Sequence, residues 1–239
     1  MKLLNTPMLK RPAANDDIVS SAFRHTVRAN QRWLDIHGLA RRPWFVLGSA
    51  PSPTMPQKLP EDTVFAYVKF AGRSAKKHGL PDGDITLATS WDEARWSDLQ
   101  LSLVLRVRNK SSWRVFFSRM ASKPSDRECD LLSHERDDYV LQAMGSRFRE
   151  VGEHVRPSSA LTMIAFALVH DIPEIIIAGI SLDQTGHEYN DLNLQRKHGA
   201  EDRAALQAAA SRHHHVSTTE PRLAAATGIP LYGTTSASG

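Results

Sequence analysis

Pro173-Glu174-Ile175-Ile176-Ile177-Ala178-Gly179-Ile180-Ser181-Leu182, "PEIIIAGISL", sets three isoleucines in a row and then stops on glycine. Consecutive branched residues without polar alternation suit a strand whose sheet is covered on both faces, as parallel α/β sheets are. The segment before it, "SSALTMIAFALVHD" (158–171), holds good helix formers and begins on Ser158 and Ser159, which suit a helix start. A helix feeding a buried strand is the unit from which the rest of the chain is read.

Toward the N-terminus the same logic recurs. "PWFVLGSAPS" (43–52) is an apolar run that breaks into small residues, and "TVFAYVKF" (63–70) and "LQLSLVLRVR" (99–108) predict further strands. "SAKKHGLPDGDITLATS" (74–90) reads as a short helix, a turn and another strand. "DIVSSAFRHTVRANQRWLDIHGL" (17–39) has helical spacing, with Val19, Phe23, Val27, Trp33 and Leu34 as core contacts and Gly38 as a stop. Toward the C-terminus, "EDRAALQAAASR" (201–212) predicts a helix whose leading acids suit the dipole. "HHVSTT" (214–219) predicts a strand, "EPRLAAAT" (220–227) a helix with proline in its first turn, and "IPLYG" (229–233) a last short strand. The apolar stretch 111–120 has no clear type, and the charged stretch 121–155 reads as a helix with irregular flanks. No internal repeat is present.

Strands alternating with helices predict an α/β fold, a doubly wound and mostly parallel sheet in one domain over 17–233. Residues 1–16 read as a loose arm, 234–239 as a flexible tail, and the polar, glycine-flanked stretch at about 183–200 as a mobile lid. The single cysteine, Cys129, excludes a disulfide framework and a multi-cysteine metal site. No stretch approaches the ~20 apolar residues that span a bilayer. The basic N-terminus lacks the apolar centre of a secretory signal, so a cytoplasmic protein is expected. A net charge of +4 suits anionic partners. The basic residues are scattered and no aromatic-rich strand accompanies them, which argues against nucleic acid.

In doubly wound sheets ligands bind at the carboxyl ends of strands, near a switch in strand order. Three candidate regions follow strands. "GSAPS" (48–52) lacks both the Walker lysine signature and the GxGxxG fingerprint, and its spacing fits a plain turn or a nucleotide seat equally. "RPSSA" (156–160) puts Arg156 before a helix start, where an anion site and an ordinary serine cap are both consistent. "GISLDQTGHEY" (179–189) and "QRKHG" (195–199) bring Asp183, Tyr189 and His198 into one polar connection. The "HHH" at 213–215 is not read as a metal site, because strand alternation sends the middle histidine to the other face.

Taken in order, these segments resemble bacterial sialyltransferases, the single-domain Rossmann-like enzymes that use CMP-sialic acid, over about a third of the chain. The resemblance implies a Rossmann-like domain, a variant of the GT-A type, acting as an inverting glycosyltransferase in cell-surface polysaccharide synthesis. It implies that Gly48, Ser49, Pro51 and Ser52 lie on the nucleotide loop, that Arg156 and Ser159 line the donor site beside Ser158, and that Gly179 and Ile180 lie under the cytidine. It implies that Tyr189 bonds the leaving phosphate and that His198 is the general base; an alternative register would put His215 in that role. The pattern departs at Ser49 and Ala50 in the first loop, at Val68 with Lys69 beside it, at Ser181 and at Asp183. Those departures admit a related ulosonic acid such as Kdo as donor sugar. No cofactor or metal is implied, only a CMP-sugar donor and a glycan acceptor. A weak peripheral hold at the inner membrane face is compatible with the charge, and a homo-oligomer is left open. Two rivals stay open: a pterin diphosphokinase-like enzyme needing ATP and magnesium, and a non-catalytic, transferase-derived binding module.

Overall fold

The structure, a computed structural model, describes residues 21–89, 93–108, 126–189 and 197–233. The predicted arm, the 111–120 segment, the tail and most of the second half of the predicted lid fall outside those residues.

The isoleucine run forms β6 (Ile175–Ala178), buried at every position. Its side chains divide by parity, Ile175 and Ile177 entering one core and Ile176 and Ala178 the other. The neighbouring β1 (Trp44–Leu47) divides the same way, with Trp44 and Val46 on one face and Phe45 and Leu47 on the other. This two-sided burial is why the run shows no polar alternation. The other strands are β2 (Val64–Val68), β3 (Ile85–Ala88), β4 (Leu103–Arg108), β5 (Glu128–Leu132) and β7 (Val216–Thr218). All seven are parallel, in the order β5-β4-β3-β2-β1-β6-β7. The chain runs outward from β1 to β5, returns, and continues from β6 on the other side of β1. The switch in strand order therefore lies between β1 and β6.

The helices are α1 (Ser21–Ile36), α2 (Ala71–Lys77), α3 (Glu93–Trp96), α4 (Ser133–Met144), α5 (Ser159–Val169), α6 (Gly199–Arg212) and α7 (Pro221–Thr227). Helix α1 buries Phe23 and Leu34, packs Val27 and Trp33 partly, and ends at Gly38, whose φ of +65° is the left-handed turn glycine allows. Val19 falls outside the described residues. Helix α2 begins three residues earlier than the spacing predicts, and the 229–233 segment makes only an isolated parallel bridge, Thr218 with Leu231.

The larger departure is in 121–155, where β5 precedes α4. In β5 the residues alternate between partly buried and buried, and its outward acids pair with β4: Arg106 Nη2 to Glu128 Oε1 at 2.7 Å and Arg108 Nε to Asp130 Oδ1 at 2.7 Å. An edge strand dressed with charge in this way escapes the apolar signal that marks the central strands.

Candidate functional site

At the switch point the ends of β1 and β6 touch. A Cβ on Gly48 would lie 2.3 Å from the Gly179 carbonyl oxygen, and a Cβ on Gly179 would lie 2.7 Å from that of Gly48. The bare end of β1 is thus required first by the neighbouring backbone. Gly48 N–H donates to Ala178 O at 2.8 Å and Ala50 N–H to Gly179 O at 2.8 Å. Glu220, at the start of α7, closes the third side: Oε1 accepts from Gly179 N at 2.8 Å and Thr54 N at 3.0 Å, and Oε2 from Thr54 Oγ1 at 3.0 Å. Four backbone donors of the loop and strand ends that would suit an anion are already engaged within the fold. The loop also carries the hydroxyls of Ser49 and Ser52, the latter residue held at a φ of 49°.

Ser49 Oγ lies 2.9 Å from His187 Nδ1, and Ser49 O accepts from Glu188 N at 3.2 Å. The His187 and Tyr189 rings stack at 5.1 Å, and Tyr189 meets Phe70 edge-on at 5.7 Å. Burial raises the Tyr189 phenol above its ordinary range, while a hydrogen bond with Ser49 acts the other way. Glu188 meets His78, Oε1 to Nε2 at 2.7 Å, and its Oε2 is buried without a partner among the described residues. The connection after β6 is therefore pinned over the end of β1, with the Tyr189 phenol beside Ser49.

Across the rim, residues 152–158 form a strap held by the first turn of α6. Glu201 and Asp202 are each 1% exposed. Glu201 Oε1 accepts from His154 N at 2.7 Å, and Asp202 Oδ1 from Ser158 N at 2.7 Å. Gly152 leaves room for this, since a Cβ there would meet the Glu201 carboxyl at 2.5 Å. Val155 sits at a φ of +53°, a strained conformation for a β-branched residue. The kink aims the Arg156 carbonyl at His198, whose Nδ1 lies 3.0 Å from it. A carbonyl only accepts, so Nδ1 carries the proton and Nε2 keeps its lone pair. Burial lowers the His198 pKa below 6.5; the Arg156 contact opposes this, and the His154 ring at 4.9 Å and Arg136 add to the lowering.

The strap carries one cation, Arg156, and meets a second, Arg136. Arg136, in the first turn of α4, donates from Nη2 to Pro157 O. Burial, and after it Arg156, pushes the Arg136 guanidinium down to about 10. Lys69 follows β2 at a φ of 54°; burial lowers its pKa and repulsion from Arg136 lowers it further. Ser158 precedes α5 in extended conformation but makes no side-chain cap bond, and its Oγ is buried without a partner among the described residues.

Helices that follow parallel strands run back along the sheet, so the starts of α5 and α6 share the carboxyl edge with Gly48, Lys69 and Gly179. Arg156, Ser158, Ser159, Tyr189 and His198 are thus at one edge with the first loop. His215 is at the opposite edge, where its carbonyl accepts from Ile175 N at 2.9 Å just before β7 begins, and so the alternative register for the base has no geometric support. A cavity of about 400 Å³ is lined by Ser52, Ile180, Ser181, Asp183, Glu220 and Arg222 among others; Lys69, Arg156, Tyr189 and His198 do not line it. Asp183 is exposed, accepts from Ser181 Oγ at 2.8 Å and lies 3.6 Å from Arg222 Nη1. Pro51 stays within the first loop. Among the described residues no group of three or more His, Cys, Asp or Glu is placed to hold a metal. Sequence reasoning missed Arg136, His154 and Glu220. Their bonds run across the fold, and only the proline after Glu220 gave a local signal.

No family model matches the sequence and no curated protein matches it. Solved structures do. The chain has the fold of the Campylobacter sialyltransferases. The CstII sialyltransferase from Campylobacter jejuni with the substrate analogue CMP-3FNeuAc superposes with a TM-score of 0.55 at 13% identity, over 80% of this chain and 86% of that one. The monofunctional α-2,3-sialyltransferase Cst-I from Campylobacter jejuni gives 0.56 at 12% identity, over 80% of each chain. A CST-II complex with a trisaccharide acceptor and CMP gives 0.53 at 15% identity, over 80% and 86%. The single-domain, parallel, Rossmann-like expectation is met.

Proposed function

We propose that the chain is a sialyltransferase-like glycosyltransferase that moves an acidic ulosonic sugar, sialic acid or a relative such as Kdo, from a CMP-activated donor to a glycan hydroxyl. The observation that carries the reading is His198, a histidine with Nδ1–H tied to the Arg156 carbonyl and Nε2 left as a base. It stands at the same sheet edge as the Ser49–Tyr189 pair, and proteins of this fold were solved with CMP.

In the proposed step the acceptor hydroxyl gives its proton to His198 Nε2 as its oxygen bonds the anomeric carbon. The bond from that carbon to the phosphate oxygen breaks on the opposite face, CMP leaves, and the configuration inverts. A lowered histidine pKa keeps the base neutral at and somewhat below neutral pH, as this role requires. Tyr189, still protonated, and Ser49 would donate to the leaving phosphate, with Arg156 across from them. One monophosphate leaves rather than a diphosphate, so the charge to be stabilised is within reach of side-chain donors alone. The nucleoside would lie over Gly48, Pro51, Gly179 and Ile180, with Ser52 and Asp183 at the cavity edge. The carboxylate would lie toward Lys69, Ser158 and Ser159.

A thermal-shift panel of CMP, CDP, UDP, GDP and ATP, with and without Mg²⁺, tests the donor class. The expected result is a rise in melting temperature with CMP that Mg²⁺ does not alter. A shift with ATP and Mg²⁺ alone would replace the proposal with the diphosphokinase reading, and silence throughout would favour a binding module.

A further inference from the structure

The carboxyl edge of this sheet contains an imbalance that the proposed transfer step does not by itself require. Lys69 leaves β2, Arg136 opens α4 and Arg156 precedes α5. None of the three forms an ion pair with a described residue. Asp137 and Asp202 attract Arg136 but neither bonds it: Asp202 accepts the Ser158 N–H at 2.7 Å, and Asp137 lies 3.7 Å from Arg149 Nη2. Arg136 instead bonds a neutral carbonyl, that of Pro157. The unpartnered, buried Ser158 hydroxyl is the next residue along the chain. Partly buried cations that repel one another are costly to the empty fold, and such a cluster is retained where a ligand brings the missing negative charge.

We propose that Lys69, Arg136 and Arg156, with the Ser158 hydroxyl, form an oxyanion seat for two negative charges on one ligand, and that Arg136 selects an acidic sugar over a neutral one. The inference rests on the donor reading above and extends it to a residue that reading leaves unused. A phosphate diester supplies one negative charge and a sugar carboxylate a second, while a CMP-linked neutral sugar supplies only the first. Arginine suits the carboxylate because its planar fork can hold both oxygens, and Lys69 adds a point charge beside it. The left-handed backbone at Lys69 fits this placement, since it turns the lysine away from the path β2 would otherwise follow.

Calorimetry on the full chain tests the seat with cytidine, CMP and the fluorinated CMP-sialic acid analogue. With wild-type protein, affinity should rise from cytidine to CMP to the analogue. Arg136→Gln should weaken the analogue by about 10- to 100-fold and cytidine by less than about threefold. The empty Arg136→Gln protein should melt at or above the wild-type temperature, because a repelled cation has been removed. A lower melting temperature with unchanged analogue affinity would make Arg136 a structural residue and overturn the seat. If wild-type protein binds none of the three cytidine ligands, the donor reading fails. The seat is then judged with inorganic phosphate alone: it stands if phosphate raises the wild-type melting temperature but not that of Arg136→Gln, and falls if both respond alike.

Discussion

The two halves of the carboxyl rim are built on opposite principles. Over β1, β6 and β7 the polar groups at the strand ends close on one another: Glu220 takes three donors, and the Gly48 and Ala50 amides pair with β6. Over β2 and the starts of α4, α5 and α6, Lys69, Arg136 and Arg156 form no ion pair with a described residue, although Asp137 and Asp202 attract Arg136, and an unpartnered hydroxyl lies beside them. The backbone groups at the strand ends of the first half are bonded within the empty fold, so losses there should appear as lost stability. The second is strained when empty, so losses there should appear as lost binding or turnover with little cost to the fold.

The largest effect that would sharpen this contrast is at His198. His198→Ala should lower turnover by about 10²- to 10⁴-fold, with the donor analogue still bound within a few-fold of wild type. Steady-state CMP release and calorimetry measure the two quantities. A variant with near-wild-type turnover would break the contrast at its functional end. Glu220→Ala is the counterpart on the satisfied half. It strips a charged acceptor from three donors and should cost about 2–4 kcal/mol in urea denaturation. A Glu220→Ala protein as stable as wild type would show that the clamp is not structural.

A smaller effect is expected at Val155. Replacing it with glycine removes left-handed strain of about 1 kcal/mol, so stability should hold or rise, while turnover falls several-fold because the Arg156 carbonyl no longer fixes the His198 tautomer. Parallel falls in stability and rate would argue that the kink serves only the fold. The gentlest test is pH. Since burial lowers the His198 pKa, a general base there stays neutral below pH 6.5, and the acid limb of the rate should fall on the acid side of that value. An acid limb above pH 6.5 would contradict the assignment.

Burial decided what was legible in the sequence. The central strands β1 and β6 are covered on both faces, so their runs of branched and aromatic residues could be read directly, and the small residues after them marked the strand ends. The edge strand β5 was hidden because Glu128 and Asp130 face outward to arginines of β4, and a charged alternation looks like loop or helix surface. The site divides the same way. Ser49, Arg156, Tyr189 and His198 follow strands or open helices in recognisable order. Arg136 sits in "SHERDDYV", where a lone arginine among acids reads as a solvated helix face. Its bond to Pro157 spans 21 residues, and its neighbours Lys69 and Arg156 arrive from other strands and loops, so only the fold brings the three together. The bareness of Gly48 could be seen, but its main cause, the Gly179 carbonyl, lies on a strand more than a hundred residues later.

The most direct test of the account is a crystal structure of the chain with the fluorinated CMP-sialic acid analogue. The phosphate should lie between Tyr189 and Arg156, the carboxylate against Lys69 and Arg136, and His198 Nε2 should face the anomeric carbon from the side opposite the phosphate. An analogue whose two anionic groups lie away from all three cations would contradict it.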